Sequence, residues 1–418
     1  MRLLNIEAID DEGRGRAFYD AWNYAVRGAF PGDQVEVRVE RIFKAQKLYV
    51  CRVKRFARKG EFHESRTCRH KLPCPACPLH GVKDSLVLEL KQSRIQAALT
   101  SVALDLPVEA VVPHPSLTGY RQKVKLMVAG DPGDLRLGVY VPYSHQFSEA
   151  SACPHVDPSI NQAIPILLSK LNESKAEGLQ AVILRAVQGG VAIVVVTLQP
   201  LPDVLFTDNP FLSFSERIQS TVSNNILAGE PGRQTGLQRV PSLEGGPSVH
   251  PDSFCQTDPI QAERLYDLVA DFLYQGPGHY CDAYAGVGGF SKAILKKGEA
   301  NLVAVESNAL CIESLNELGI QVYGGSMAEY LSERSSVRWA GIVVDPPKKG
   351  LQSEACLIAA LQAERVALIS CDPNAMARDL LEFVRQGYQV VRIVPMDFFG
   401  GTPAVETVVL MRYSGEPQ

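Results

Sequence analysis

From about residue 255 the chain alternates short apolar runs with helical segments: HYCDAY, NLVAVE, IQVY, AGIVVD, RVALIS, QVVRIV and VETVVLM. Seven strand-sized runs separated by helices specify a doubly wound, mostly parallel sheet, because each crossover helix covers a sheet face and returns the chain in the same direction. The connection from Val394 to Val405 holds no helix. So short a connection cannot make a parallel crossover, and the final strand is expected to run antiparallel. This α/β unit, residues 251–418, takes less than half of a 418-residue chain. On length alone the whole chain holds about three domains.

Upstream the pattern changes. QVEVRVERI and KLYVCRV alternate with period two and follow the turn Pro31-Gly32-Asp33, so residues 1–60 read as a small β domain. Residues 61–250 read as a mixed α+β region. A helix-like stretch, SLVLELKQSRIQAALTSV, precedes the β-like segments KVKLMV, LRLGVYV, AVILRAV and VAIVVVTL. The Pro- and Gly-rich stretch 229–253 reads as a long loop leading into the last domain.

The net charge of −4 would argue against a nucleic-acid partner if it were evenly spread, and it is not. Residues 1–100 carry 19 Lys+Arg and 12 Asp+Glu. Between Arg41 and Gly60 there are eight basic residues and no acid, with Phe43, Tyr49 and Phe56 interleaved. That combination suits a surface that tracks phosphates and stacks on bases. The longest apolar stretch, Val191–Leu198, is strand-sized, so no membrane partner is expected. The N-terminus turns acidic before a signal-peptide core could form, which points to a cytoplasmic protein.

Chemistry concentrates in a few motifs. In Asp282-Ala-Tyr284-Ala-Gly286-Val-Gly288-Gly289 a strand ends and a helix opens. Glycines at that junction let a ligand approach backbone amides. The spacing resembles the first motif of S-adenosylmethionine-dependent methyltransferases, and Glu306, twenty residues after Gly286, is placed to hold ribose hydroxyls. Asp345-Pro-Pro-Lys-Lys-Gly follows the fourth strand, at the sheet edge where open α/β folds bind ligands. Ser370-Cys371-Asp372-Pro373 follows the fifth. A helix N-terminus there can depress a thiol's pKa, so Cys371 is a candidate nucleophile. Glu406, near the start of the last strand, is a candidate base. Cys68, Cys74 and Cys77, with Cys153 downstream, suggest a metal site, and the spacing suits either structural zinc or an iron–sulfur cluster. Cys51, Cys255, Cys281, Cys311 and Cys356 read as small buried apolar residues.

Together these stretches resemble the RNA uridine-C5 methyltransferases. The likeness runs through Phe254-Cys-Gln256-Thr-Asp258, DAYAGVGGF, DPPKKG, SCDPNAMARDL, TPAVETVVLM, the cysteine spacing, Tyr120-Arg-Gln-Lys123 and Ser144-His145. It implies a Rossmann-like class I methyltransferase domain, a small N-terminal β-barrel of the TRAM type that binds RNA, and a [4Fe–4S] cluster on Cys68, Cys74, Cys77 and Cys153. It also implies that Cys371 adds to C6 of uracil, that Glu406 removes the C5 proton, and that Gln256, Tyr284, Gly286, Gly288, Glu306 and Asp345 bind S-adenosyl-L-methionine. The expected substrate is RNA, 23S rRNA first. The alternatives are a tRNA uridine-54 enzyme and an RNA-binding protein without catalysis. A monomer is expected. Several positions depart from the family's usual residues: Ala285, Gly289, Asp258, Asp372, Ala404, Pro75 and Ala76. A carboxylate at Asp372 is expected to disfavour the Cys371 thiolate.

Overall fold

The computed structural model describes residues 3–65, 68, 74–144, 146–150, 152–221, 229–243, 246–332 and 337–415, and His145 lies outside them. Strands β1 (Leu3–Asn5), β2 (Ala8–Ile9), β3 (Gly15–Tyr19), β4 (Trp22–Arg27), β5 (Gln34–Phe43) and β6 (Leu48–Arg58) form a sheet ordered β1-β5-β6-β4-β3-β2. β1 and β2 are two residues apart yet pair at opposite edges, with β5 and β3. The amides of Ile6 and Glu7 continue those pairings, onto the carbonyls of Asp33 and Arg16. The N-terminal segment therefore joins the two edges and curls the sheet into a small barrel, filled by Leu4, Tyr24, Val26, Val35 and Cys51.

After α1 (Asp84–Ser101) come β7 (Lys123–Ala129), β8 (Arg136–Tyr140), β9 (Phe147–Glu149), α2 (Pro158–Glu173), β10 (Leu179–Val187), β11 (Gly190–Thr197), α3 (Val204–Thr207), β12 (Ser213–Ile218) and β13 (Glu230–Gly236). They build a second sheet ordered β13-β12-β11-β10-β7-β8-β9. Ile160, Leu167 and Leu171 of α2 cover one face of it. The expected long loop thus contains a strand. EPGRQTG pairs antiparallel with β12 despite its Pro and glycines, because it is an edge strand and its ladder shifts register where Pro231 enters.

The remainder runs α4 (Pro259–Leu273), β14 (His279–Ala283), α5 (Gly289–Leu295), β15 (Asn301–Glu306), α6 (Ala309–Asn316), β16 (Gln321–Gly324), α7 (Met327–Ser332), β17 (Trp339–Val344), α8 (Glu354–Ala359), β18 (Arg365–Ser370), α9 (Pro373–Arg385), β19 (Tyr388–Met396) and β20 (Glu406–Tyr413). The sheet order is β16-β15-β14-β17-β18-β20-β19. All pairings are parallel except those of β20, which runs antiparallel to both neighbours, as the missing crossover demands. Buried cores lie on both faces. Ile95, Ala98 and Leu99 of α1 belong to one of them, so α1 packs on the third sheet rather than the second. Residues 109–112 then run beside β19, with the amides of Glu109 and Val112 donating to the carbonyls of Ile393 and Pro395. No helix among the described residues is long and apolar enough to cross a membrane.

Candidate active site

The glycine motif turns sharply out of β14. Tyr284, Gly286 and Gly288 have φ of 63°, 54° and 87°, in the left-handed region that costs a residue with a side chain and that glycine tolerates. Glu306, at the end of β15, fixes the turn: its Oε2 accepts from the Gly286 amide at 2.8 Å and its Oε1 from the Asn308 amide at 2.7 Å. A Cβ on Gly286 would meet no atom within 4 Å, so the space above the turn is open to a ligand. Gly289 is different. A Cβ there would meet the ring of Tyr266 from α4, so a side chain at this position requires that ring to move. The Tyr284 hydroxyl donates to Glu354. Gln256 is held by its backbone, its carbonyl accepting from Gln122 Nε2 at 2.7 Å, while the Gln122 amide donates to the Thr257 carbonyl at 2.9 Å. The Tyr-Arg-Gln-Lys motif therefore clips the Gln256 segment to the second sheet.

Carboxylates dominate the cleft. Asp282 is fully buried; its Oδ2 accepts from the Ser291 amide at 2.9 Å and hydroxyl at 2.6 Å, and its Oδ1 has no hydrogen-bond partner. Burial, with the charge of Glu306 added, pushes its pKa up to about 7. Asp345, at the carboxyl end of β17, also rises to about 7, through burial and then through Asp282. Glu406 lies well above the carboxylate range, for burial and for Asp345. Asp282 heads the motif, but glycine spacing alone does not single it out as a candidate site residue.

Cys371 and Glu406 come together through strand register. Ser370 of β18 pairs with Thr407 of β20, so the next antiparallel pair sets Cys371 opposite Glu406. Against the low thiol pKa expected at a helix N-terminus, the surroundings of Cys371 act in the opposite direction. Burial, then Glu406, then Asp345 raise Cys371 to about 11, and the opposing effect of Lys348 is smaller. Asp372, expected to weigh on the thiol, turns away from it: its carboxylate caps α9, accepting from the amides of Asn374 at 3.1 Å and Ala375 at 3.0 Å. Asp258 does the same for α4, on the amides of Ile260 and Gln261, and pairs with buried His114. Asn and Asp are nearly equivalent N-caps, and Pro follows each, so both departures preserve local structure.

Other positioning residues escaped the sequence reading. Asp379 of α9 accepts from the Leu351 amide at 2.7 Å, closing the Asp345-Pro-Pro loop, and a Cβ on Gly350 would lie 2.5 Å from that carboxylate. Their i, i+7 spacing puts Asp372 and Asp379 near one face of α9, which was the available signal. Buried Lys91 of α1 pairs with Asp397 and also donates to the Phe399 carbonyl at 3.1 Å. It thereby anchors the 397–405 loop that delivers Glu406. No sequence pattern links residues three hundred positions apart.

Cys68, Cys74, Cys77 and Cys153 lie close enough for their charges to interact. Burial and neighbouring thiols push Cys77 up to about 12. The Ala76 amide donates to the Cys74 sulfur, and those of His155 and Val156 to the Cys153 sulfur. Hydrogen bonds of this kind from backbone amides stabilise ligating thiolates. Among the described residues, however, no three Cys, His, Asp or Glu converge at metal-holding distances. Of the remaining cysteines, Cys51, Cys255, Cys281 and Cys311 are buried as expected, whereas Cys356 is exposed. A cavity of about 430 Å³ between Tyr266 and Lys292 involves none of the candidate residues.

Three comparisons bear on this geometry. The sequence profile of the family described as tRNA (uracil-5-)-methyltransferase matches residues 333–414. The chain is similar to a protein of Clostridium tetani named an uncharacterized RNA methyltransferase, 27% identical over 99% of this chain and 96% of the relative. It is also similar to a 23S rRNA (uracil(1939)-C(5))-methyltransferase of Vibrio parahaemolyticus, 25% identical with coverage of 99% and 96%. Among solved structures, the fold is similar to the Pyrococcus abyssi tRNA (uracil-54, C5)-methyltransferase in complex with S-adenosyl-L-homocysteine. The TM-score is 0.76 at 24% identity, covering 98% of this chain and all of that one.

Proposed function

We propose, from the premise that this chain belongs to the RNA uridine-C5 methyltransferase family, that it methylates C5 of a uridine in 23S rRNA through a covalent Cys371 adduct. The observation that carries this reading is the β18–β20 register that sets Cys371 opposite Glu406, beside the Asp345 loop. S-Adenosylmethionine, when bound, supplies an electrophilic methyl group on a sulfonium cation. The open space over Gly286, the unpartnered Asp282 oxygen and the cluster of acids suit such a cationic ligand. Gln256, Tyr284, Gly286, Gly288, Glu306 and Asp345 would hold it.

The residues then divide the work. C5 of uracil is a weak nucleophile. Addition of the Cys371 thiolate to C6 makes C5 enolate-like and able to take the methyl group. Glu406 accepts the C5 proton, and the electrons of that C–H bond expel Cys371 as thiolate. A base inside a helix cannot reach this cleft, so the uridine must leave its stack. In the same reading, residues 1–60 form a TRAM-like RNA-binding unit, residues 61–250 a central unit with a [4Fe–4S] site on Cys68, Cys74, Cys77 and Cys153, and residues 251–418 the transferase unit. The relative of Vibrio parahaemolyticus favours rRNA. The solved tRNA enzyme keeps uridine 54 of tRNA as a second reading.

Labelled S-adenosylmethionine incubated with bulk rRNA and with tRNA separates these readings. Label in rRNA supports the first and label in tRNA the second, while none in either defeats both. Cys371→Ala should abolish transfer and keep cofactor binding. Glu406→Gln should stall before elimination and leave a denaturation-resistant protein–RNA adduct.

A further inference from the structure

The outer face of the N-terminal barrel carries an arrangement that the transfer reaction does not use. The pairings of β5, β6, β4 and β3 set residues in rows across the sheet. One row runs Phe43, Leu48, Asn23, Phe18, and the row two residues along each strand runs Arg41, Val50, Ala25, Arg16. Cross-strand partners project from the same face, so phenylalanines flank one row and arginines the other. Phe18 is 65% exposed, an apolar ring on a surface with no core to fill. Between the rows lies a cavity of about 270 Å³, lined by Arg16, Asn23, Ala25, Gln46 and Leu48 and edged by the ion pair of Arg14 with Asp10. Arg14 is held by Asp10 and Glu12, but Arg16 and Arg41 have no carboxylate partner among the described residues.

The central region completes this face. Tyr143, 41% exposed and at φ 62°, reaches over from the turn that follows β8. Its ring meets Phe43 edge-on at 6.0 Å, and the Arg41 guanidinium lies 5.1 Å from the Phe43 ring and 5.6 Å from the Tyr143 ring. Aromatic faces flanked by guanidiniums without a carboxylate partner among the described residues, beside the cavity that Asn23 and Gln46 line, form the chemistry that receives unstacked bases and their phosphates. A duplex hides its base faces and offers such rings nothing.

We propose that this seam, Arg16, Arg41, Phe43 and Tyr143 above all, binds a single-stranded stretch of the substrate RNA. At least one base stacks on Phe43 or Tyr143, and the two arginines neutralise flanking phosphates. The inference rests on the RNA-methyltransferase reading and adds to it the form of RNA gripped away from the reacting uridine.

The test uses full-length protein, a labelled single-stranded RNA of about 12 nucleotides and the corresponding RNA duplex. Phe43→Ala with Tyr143→Ala should weaken single-strand binding about 5- to 100-fold, the usual range for losing a base–aromatic stack, and leave duplex binding within about twofold. Phe43→Trp with Tyr143→Phe should restore it. Arg16→Ala and Arg41→Ala should each lower the slope of log affinity against log salt by about 0.7. Parental single-strand affinity in a normally folded alanine variant would overturn the proposal, as would equal losses for duplex and single strand. If the parent methylates RNA while these variants bind as it does, the seam is refuted and the activity stands. A parent that neither binds nor methylates any RNA refutes both.

Discussion

At the scale of single residues, Asp345, proposed to hold the cofactor, also bears on stability. With Asp282 it titrates near pH 7 in the folded protein, against about 3.9 for an unperturbed aspartate. Between those values the folded state holds more protons than the unfolded one. Stability without added cofactor should therefore fall as pH rises from about 4 to 7 and level off above, with Glu406 acting in the same direction. Asp345→Asn removes one buried charge, so calorimetry should show a higher Tm at pH 8 and a shallower decline, together with lost S-adenosylmethionine binding. An unchanged slope would count against the burial of this carboxylate as the cause. Asp372 supplies the contrast. As a helix cap it should accept Asn with initial rates within about twofold, whereas Asp372→Ala should cost about 1 kcal/mol in urea unfolding. A large gain in rate from Asp372→Asn would mean that the carboxylate does weigh on Cys371.

At the scale of elements, the transferase sheet was readable because parallel strands covered on both faces must be continuously apolar, as AGIVVD and RVALIS are. β13 was not, since EPGRQTG acquires strand form only through the ladder of β12. The two rings of Arg41's site are legible as residues and not as neighbours, because Tyr143 arrives from another sheet. The same limit hid Lys91. Its helix was plain from SLVLELKQSRIQAALTSV, but a buried lysine breaks the apolar pattern, and its meaning lies in Asp397 across the fold. Lys91→Met leaves that buried carboxylate without its counter-charge, held among the described residues only by the Phe399 amide, which should destabilise by about 3–5 kcal/mol in denaturant unfolding. Adding Asp397→Asn should recover much of the loss, giving a strongly non-additive double-mutant cycle. Additive losses would show that the two side chains do not act as a pair.

At the scale of the whole molecule, distant parts of the chain converge on one short loop. Residues 397–405 lead into Glu406, and besides their own turn hydrogen bonds they are anchored from distant parts of the chain. Lys91 and Arg94 grip Asp397 and Pro403 from α1, and the Leu79 amide, two residues beyond Cys77, donates to the Gly401 carbonyl at 3.0 Å. A Cβ on Gly401 would lie 3.8 Å from the Cys77 sulfur, so the cysteine segment packs directly on the loop that carries the proposed base. Whatever orders that segment should order the loop. Full-length protein prepared without oxygen should contain about four irons per chain if the four thiols hold a [4Fe–4S] cluster. Removing the iron with a chelator should then speed amide hydrogen exchange at Gly400–Val405 and leave the interior of β14 and β17 protected, because those strands are held by apolar burial on both faces. Unchanged exchange in the loop after iron loss would uncouple the cysteine site from Glu406, and iron-free protein that contains zinc would assign the four thiols to a different metal.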